Sequence, residues 1–302
     1  MELPIIKGVL YSDALKSFIS DKKSSRRKST FGELDRISST YFKSLNGILV
    51  HNIRTSDYQT IKNSLIELDL SISYKNKIIS IMKSISRFIS AHYETLDYAK
   101  IITGFKDHSS KKEFNTWTPN ELAYFLKFVN REIYHDLFYI LYFTGARLGE
   151  IRALYKTDCP SGMISITKSI RRETDGVTTP KNKFSIRKIS IDIKTDLIIQ
   201  KHSSLEGLYL LGNDHPLSQT SVDREFKKFL DLACVENPDF KRMRVHDFRH
   251  SHATLLINRG ANIVAVSRRL GHANVQQTLK TYTHLLKENE DLALSILNKA
   301  WD

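Results

Sequence analysis

The spacing of apolar residues is the feature that most limits what this chain can fold into. In most of the sequence apolar residues recur at three- and four-residue steps, and Ile78, Met82, Ile85 and Ile89 form the clearest such helical stripe. In residues 164–193 they alternate instead with polar residues on both sides of a turn-like segment, as in paired strands. The pattern therefore predicts a mainly α-helical protein with one small antiparallel β-sheet.

Two domains are expected, because 302 residues exceed what a single core usually accommodates. Thr30 with Glu33 and Thr118 with Glu121 each have the spacing of a capping box at a helix start. Residues 103–115 have no apolar periodicity, which is typical of a linker. We predict an N-terminal arm or reduced arm-type segment at 1–29, helical domain 30–105, linker 106–115, and second domain 116–302.

The charge balance favours a polyanionic partner. Lys and Arg number 46 against 33 Asp and Glu, which gives a formal net charge of +13 and a pI near 9.5. Such a surface attracts nucleic acid, although a basic surface also occurs in proteins that bind none. The basic run in residues 21–29 fits either a solvated segment or an arm that contacts phosphates.

Cysteine content and the N-terminus bear on the compartment. Cys159 and Cys234 are the only cysteines and lie far apart, which disfavours a disulfide framework or a thiolate zinc site. The N-terminus lacks the basic and apolar regions of a signal peptide, and no run is long enough to span a membrane. We therefore expect a cytoplasmic protein without a membrane partner.

Polar residues that could take part in catalysis or phosphate binding are concentrated in four short segments. The segments are TGARLGE at 144–150, RVHDFRH at 244–250, LGH at 270–272 and TLKTYTH at 278–284. On a helix, residues three apart share a face, as Arg147 does with Glu150 and His246 with Arg249. Each pair could then point at one phosphate group.

In their order and spacing these segments resemble the tyrosine recombinase family, the integrases of phages and conjugative transposons. The matching elements are the arginine of TGARLGE, a lysine in a β-hairpin, HDFR, LGH and then a tyrosine ten residues later. The resemblance is close over about residues 116–290. It implies a SAM-like helical core-DNA-binding domain followed by an α+β catalytic domain of the tyrosine recombinase and type IB topoisomerase type.

The resemblance implies a site-specific recombinase that cuts and rejoins DNA through a covalent 3′-phosphotyrosine, without ATP or metal. Tyr282 is the expected nucleophile, and Arg147 and Arg249 would hold the non-bridging oxygens of the phosphate. A phenol with a pKa near 10 needs help to attack, and His246 is the predicted base. Lys181, on the hairpin turn, would protonate the leaving 5′-oxygen, with Lys183 as the alternative.

Two further residues are assigned supporting roles. His272 would donate a hydrogen bond to the same phosphate. Glu150 would orient His246 or Arg147 by a hydrogen bond, without contacting the phosphate itself. The competing interpretation is that Glu150 is a helix-surface carboxylate that pairs with Arg147 or Arg152.

Other interpretations remain to be weighed. Five of the 11 histidines lie at 246, 250, 252, 272 and 284, which raises zinc as an alternative, but an arginine-rich setting would repel a dication. No cofactor or metal is therefore predicted, and His250 and His252 are assigned to packing or DNA contact. A regulator that has lost its chemistry and a topoisomerase that only relaxes supercoils are the alternative functions.

The predicted partners are double-stranded DNA with a specific core site and three further copies of the chain, in a homotetramer on two DNA duplexes. The apolar residues of 285–301 would form a tail helix that docks on the neighbouring protomer or on its own domain. The sequence leaves open the target site, the choice between integration, excision and resolution, arm-site binding, and a need for accessory excision or DNA-bending proteins.

Overall fold

A computed structural model describes residues 8–25, 28–107, 115–170, 176–178, 183–286, 294 and 297–298. The chain divides into two compact units, Met1–Lys112 and Glu113–Asp302. The described elements are almost all helical, with one antiparallel strand pair, as the apolar spacing predicts. No helix within these residues is long and apolar enough to cross a membrane.

The first unit contains four described helices, which are α1 (Tyr11–Ser25), α2 (Lys28–Tyr41), α3 (Thr55–Ser64) and α4 (Ile72–His92). Residues Ile78, Met82, Ile85 and Ile89 of α4 are all buried, so the helical stripe of the sequence does form the core of this unit. Ser71 begins α4 by accepting a hydrogen bond from the amide of Tyr74.

The N-terminal part of this unit is helical where the structure describes it. Tyr11, Ala14 and Phe18 recur at helical steps along α1 and are buried in the core of the first unit. The assignment of residues 1–29 to an arm or reduced arm-type segment stays a prediction. Helix α2 also includes Lys28 to Tyr41, which places Thr30 inside the helix and makes the predicted capping box at Thr30 wrong.

The second unit contains eight described helices and two strands, which are α5 (Pro119–Leu126), α6 (Glu132–Thr144), α7 (Leu148–Arg152), β1 (Met163–Ile166), β2 (Arg187–Ser190), α8 (Ile193–Ser203), α9 (Gln219–Glu236), α10 (Asp247–Asn258), α11 (Ile263–Leu270) and α12 (Val275–Leu286). The capping box predicted at Thr118 is confirmed, because its side chain accepts from the amide of Glu121 and the Glu121 carboxylate accepts from the amide of Thr118.

The two strands pair antiparallel, with Met163 opposite Ser190 and Ile166 opposite Arg187. Ile164, Ile166 and Ile189 point into the core of the second unit, as the alternating pattern predicts for the inner face of such a sheet. Arg187 starts β2, so its position follows from the strand register.

Helices α6 and α10 pack against each other at the centre of the second unit, where Phe138 stacks on Phe248 at a ring-centroid distance of 5.8 Å. Trp117 lies in the same aromatic cluster and donates its indole N–H to the carbonyl of Lys241. This rigid core carries the C-terminal end of α6 and the N-terminal end of α10, where the polar motifs lie.

Candidate active site

Gly145 ends helix α6 and turns the chain into the segment that carries Arg147. Its φ of 63° is in the left-handed region, where a residue with a side chain is strained. A Cβ at this position would lie 2.5 Å from the imidazole of His252, so both the conformation and the space require glycine. The carbonyl of Gly145 accepts a hydrogen bond from Nη1 of Arg249 at 2.9 Å.

Arg147 caps the short helix α7, and Glu150 holds it in place. The Glu150 carboxylate accepts from the backbone amide of Arg147 at 2.9 Å and from its Nη1 at 2.8 Å. Gly149 allows α7 to approach the strand region closely, because a Cβ there would lie 2.3 Å from the carbonyl oxygen of Ile170. Glu150 is itself only 2% exposed.

Arg187 is the second cationic partner of Glu150. It forms a two-pronged ion pair, with Nη2 at 2.8 Å from Oε2 and Nη1 at 3.2 Å from Oε1. Its Nε also donates to the carbonyl of Arg269 at 2.6 Å. Although burial raises the pKa of Glu150, the hydrogen bonds and charges of Arg187 and Arg147 outweigh it and leave this pKa lowered.

Arg249 is buried in α10 and is held by main-chain carbonyls. Beyond its bond to Gly145, its Nη2 donates to the carbonyl of Leu270 at 2.6 Å. Burial, followed by the positive charge of Arg147, lowers its pKa to about 9, so the guanidinium is still charged at neutral pH. The cluster thus contains three arginines, Arg147, Arg187 and Arg249, and one carboxylate, that of Glu150. This excess of positive charge suits it to bind an anion.

His272 follows Gly271 at the end of α11. Its Nδ1 lies 2.7 Å from the hydroxyl of Thr278, which fixes the ring between α11 and α12. Burial and the nearby charge of Arg249 lower its pKa to about 4, so the imidazole is neutral at neutral pH. A neutral ring can donate a hydrogen bond without adding a cation.

Tyr282 lies on α12 and is 3% exposed. Its ring packs with Ala253, Ile257 and Leu270 in a small apolar cluster. Burial raises the pKa of its phenol, and the charge of Arg249 opposes that shift. The hydroxyl lies within hydrogen-bond distance of His250, at 2.8 Å from its Nδ1.

His246 is exposed at the N-terminus of α10 and lines a cavity of about 340 Å³ together with Arg147, Ser169 and Arg244. Burial of part of the ring and the charge of Arg249 lower its pKa. Its ring centroid is 5.6 Å from that of His250. Within the described residues no hydrogen bond joins His246 to Tyr282, and the Tyr282 hydroxyl pairs with the next histidine, His250. The role of His246 as base stays a prediction.

The structure thus brings five of the predicted residues into one region of the second unit, namely Arg147, Glu150, Arg249, His272 and Tyr282, with His246 on the adjoining cavity wall. Lys181 lies outside the described residues. Lys183 begins the 3-10 turn Lys183–Ser185. Glu150 binds Arg147, one of the expected partners, whereas Arg152 donates its Nε to the carbonyl of Leu217.

Sequence reasoning missed two residues of this cluster. Arg187 is not among the predicted site residues, and a polar residue in an alternating segment usually faces solvent. His250 was assigned to packing or DNA contact, although its spacing of one helical turn from His246 could have drawn it into the site. Within the described residues there is no group of three or more His, Cys, Asp or Glu that could hold a metal ion.

Comparisons with known proteins agree with this geometry. The family model described as "Phage integrase family" matches residues 115–289, more than half of the chain. The ICEBs1 integrase of Bacillus subtilis (strain 168) is 28% identical over 260 residues, which are 78% of this chain and 68% of that protein. A XerC-like tyrosine recombinase of Caldanaerobacter subterraneus is 24% identical and covers 91% of this chain and 78% of its own length.

Solved structures show the same fold at lower identity. The Tn1549 transposon integrase in complex with transposon right end DNA superimposes with a TM-score of 0.77 at 19% identity, over 94% of this chain and all of that one. A lambda integrase dimer bound to a COC′ core site gives a TM-score of 0.67 at 16% identity, over 88% and 96%. By its family match, and with the site described above, the chain belongs to the phage integrase family, the DNA strand-transferring enzymes called tyrosine recombinases.

Proposed function

We propose that this tyrosine recombinase cleaves a DNA strand at a specific core site by attack of the Tyr282 hydroxyl on the scissile phosphate. The observation that carries the proposal is the buried Tyr282 phenol, on which the positive charge of Arg249 acts. Arginines outnumber carboxylates in the cluster that contains Arg249. The new Oη–P bond forms as the P–O5′ bond breaks. The products are a 3′-phosphotyrosine and a free 5′-hydroxyl.

Arg147 and Arg249 would bind the non-bridging oxygens of the phosphate. Their charges act on each other closely enough to lower the pKa of Arg249, and such a repulsive pair is relieved when a phosphate arrives between them. Multidentate guanidinium bonds are suited to the charge that builds up on these oxygens in the transition state. His246, on the wall of the cavity shared with Arg147, and His272 would donate further hydrogen bonds to the same phosphate.

The leaving 5′-oxygen must gain a proton as the P–O5′ bond breaks. Lys181 is our proposed donor, with Lys183 as the alternative, on the basis of their place between β1 and β2. Glu150 would hold Arg147 in position from the protein side, as its two hydrogen bonds to that residue suggest. The phosphotyrosine retains the energy of the broken ester, so that the 5′-hydroxyl of another strand can displace Tyr282 without ATP.

A homotetramer on two DNA duplexes is the proposed working assembly. It is supported by the likeness of this fold to a lambda integrase tetramer bound to a Holliday junction, with a TM-score of 0.68 at 15% identity, over 90% of this chain and 78% of that one. The names of the relatives, among them the transposase A of transposon Tn554 from Staphylococcus aureus, favour a role in moving a mobile element. The tail of residues 285–301, predicted to dock on the neighbouring protomer, lies largely outside the described residues.

The proposal is tested with DNA that flanks the gene and carries the core site with a nick three nucleotides or fewer from the scissile phosphate. The short fragment diffuses away after cleavage, which traps the covalent complex. Wild-type protein should form a denaturation-resistant protein–DNA product, whereas Tyr282→Phe should bind the same DNA and form none. Covalent product with Tyr282→Phe would refute the proposed nucleophile.

A second assay separates recombination from the alternatives. Purified protein with two core-site duplexes should yield joined recombinant strands, first alone and then with a host extract, which tests the need for accessory proteins. Relaxation of any supercoiled plasmid without joining would instead identify a topoisomerase. Core-site binding without either product would identify a non-catalytic regulator.

A further inference from the structure

His250 lies on α10, one helical turn after His246, with its ring turned toward α12. Its Nδ1 is 2.8 Å from the hydroxyl oxygen of Tyr282, and the two ring centroids are 6.0 Å apart. The two residues are 32 positions apart in sequence and come from different helices, so tertiary packing produces this contact.

The Tyr282 hydroxyl must lose its proton when it bonds to phosphorus. Tyr282 is 3% exposed, and burial raises the pKa of its phenol, so release of the proton to bulk water is disfavoured. A proton acceptor within hydrogen-bond reach is the usual solution for such a nucleophile. His250 meets this distance criterion in the structure.

The surroundings of His250 keep its ring neutral. Burial lowers its pKa to about 4, helped by His246, Arg249 and Arg244, while Asp247 opposes the shift. From outside α10, Tyr282 faces the ring directly, and His272 is close enough that His250 affects its pKa. A neutral imidazole carries one lone pair, and in the tautomer with the proton on Nε2 that lone pair is on Nδ1 and faces the phenol.

We propose that His250 is a catalytic residue that accepts the Tyr282 phenol proton during cleavage and returns it during rejoining. The Oη–H bond breaks as Oη bonds to phosphorus, and the proton moves to Nδ1 to give an imidazolium. The electron pair of the P–O5′ bond leaves with the 5′-oxygen, which takes its proton from the separate acid. In rejoining, the imidazolium returns its proton to the leaving Tyr282 oxygen. This inference rests on the proposed role of Tyr282 as nucleophile.

The key variant is His250→Asn. An amide at this position keeps a hydrogen-bonding atom near that of Nδ1 but cannot take up a proton at neutral pH. Single-turnover formation of the covalent complex on the nicked substrate should fall about 10²- to 10⁴-fold, the usual contribution of a general base. His215→Asn makes the same chemical change at an exposed position of the second unit and should leave the rate unchanged.

The pH profile distinguishes a proton acceptor from a residue that only supports the fold. Wild-type cleavage should be nearly independent of pH from 6 to 8, because His250 is already neutral there. In His250→Asn the rate should rise about tenfold per pH unit over the same range, because hydroxide or prior ionisation of Tyr282 must replace the base. An unchanged profile in the variant would overturn the proposal.

A substrate with sulfur in place of the bridging 5′-oxygen separates the base from the acid. A thiolate leaves without a proton, so Lys181→Ala should regain activity on this substrate, whereas His250→Asn should remain as slow relative to wild type as on normal DNA. Recovery of His250→Asn to the wild-type rate would show that His250 acts on the leaving group and would overturn the proposal.

Folding of the variant is checked by core-site DNA affinity, which should match wild type within threefold. If His250→Asn fails to fold, the pH profile of wild-type cleavage still tests the proposal. A wild-type rate that rises tenfold per pH unit between pH 6 and 8 would be incompatible with a neutral His250 that accepts the proton. Loss of the covalent product in His250→Asn but not in Tyr282→Phe would refute the proposed function rather than this inference alone.

Discussion

Glu150 should be the charge that makes the arginine cluster stable before DNA arrives. It is 2% exposed and accepts hydrogen bonds from both Arg147 and Arg187, while Arg249 lies close enough to feel its charge. Glu150→Gln keeps the shape of the side chain and removes its charge. We therefore expect the variant to fold with guanidiniums that repel one another without compensation.

The expected loss in the free energy of unfolding follows from how deeply the arginine partners of Glu150 are buried. Breaking a buried ion pair from one side costs about 3–5 kcal/mol, because it leaves an uncompensated buried charge. The Arg187 side chain is 7% exposed, which fits this range, but that of Arg147 is 37% exposed and contributes less. The lower end, about 3 kcal/mol, is therefore expected, and for a unit of this size it corresponds to a fall in Tm of roughly 6–12 °C.

The structure also determines how the stabilisation by Glu150 changes with pH. The pKa of Glu150 is lowered in the folded protein, so its contribution is fully present above the unfolded value of about 4.3. The contribution is lost as the pH falls through the lower folded value. The difference in Tm between wild type and Glu150→Gln should thus be constant from pH 5.5 to 8 and shrink below about pH 4.

The assay is thermal unfolding of the full chain with and without core-site DNA, with Glu206→Gln as the control at an exposed carboxylate of the same unit. Bound phosphate supplies negative charge to the cluster, so the loss in Tm should be smaller with DNA than without it. Cleavage should fall about 10- to 100-fold, because Arg147 loses the partner that orients it. A Tm change in Glu150→Gln no larger than that in Glu206→Gln would contradict this stabilising role of Glu150.

Three further perturbations test other parts of the site. Arg187→Ala should lower both Tm and the cleavage rate, because it removes the two-pronged pair with Glu150, and Arg187→Lys should restore only part of the rate; equal rates in all three proteins would contradict this role. Gly149→Ala should abolish cleavage and lower Tm, since its Cβ would lie 2.3 Å from the Ile170 carbonyl, and a wild-type melting curve would count against it. Burial lowers the pKa of His252 to about 3, so wild-type stability should fall as the pH drops below about 6.5, by up to about 1.4 kcal/mol per pH unit from this residue; a flat Tm between pH 6.5 and 5 would exclude it.

Local patterns predicted those features that local interactions determine. The α4 stripe, the cap at Thr118 and the strand alternation at Met163–Ile166 and Arg187–Ser190 all depend on residues within a few positions of one another, and the structure confirms them. The packing of α1 is of a different kind. The basic run in residues 21–29 favours a solvated segment or an arm, whereas Tyr11 and Phe18 of α1 are buried in the core of the first unit, which no local pattern encodes.

In the active site, too, local patterns predicted some features and tertiary packing determines the others. The order of Arg147, Arg249, His272 and Tyr282 along the chain was enough to place them in one family motif. The contacts of Arg187 with Glu150 and of His250 with Tyr282 join residues 37 and 32 positions apart, and no spacing rule within one helix or strand encodes such a contact. The roles assigned to these residues, and to Lys181, stay predictions until they are measured.

The proposed function depends on a covalent bond between Tyr282 itself and DNA. Wild-type protein can be trapped on the nicked core-site substrate, the complex digested, and the nucleotide-bearing residue identified by mass spectrometry. We predict a 3′-phosphate adduct on Tyr282 and on no other of the 13 tyrosines. An adduct on a different tyrosine, or on a serine, would contradict it.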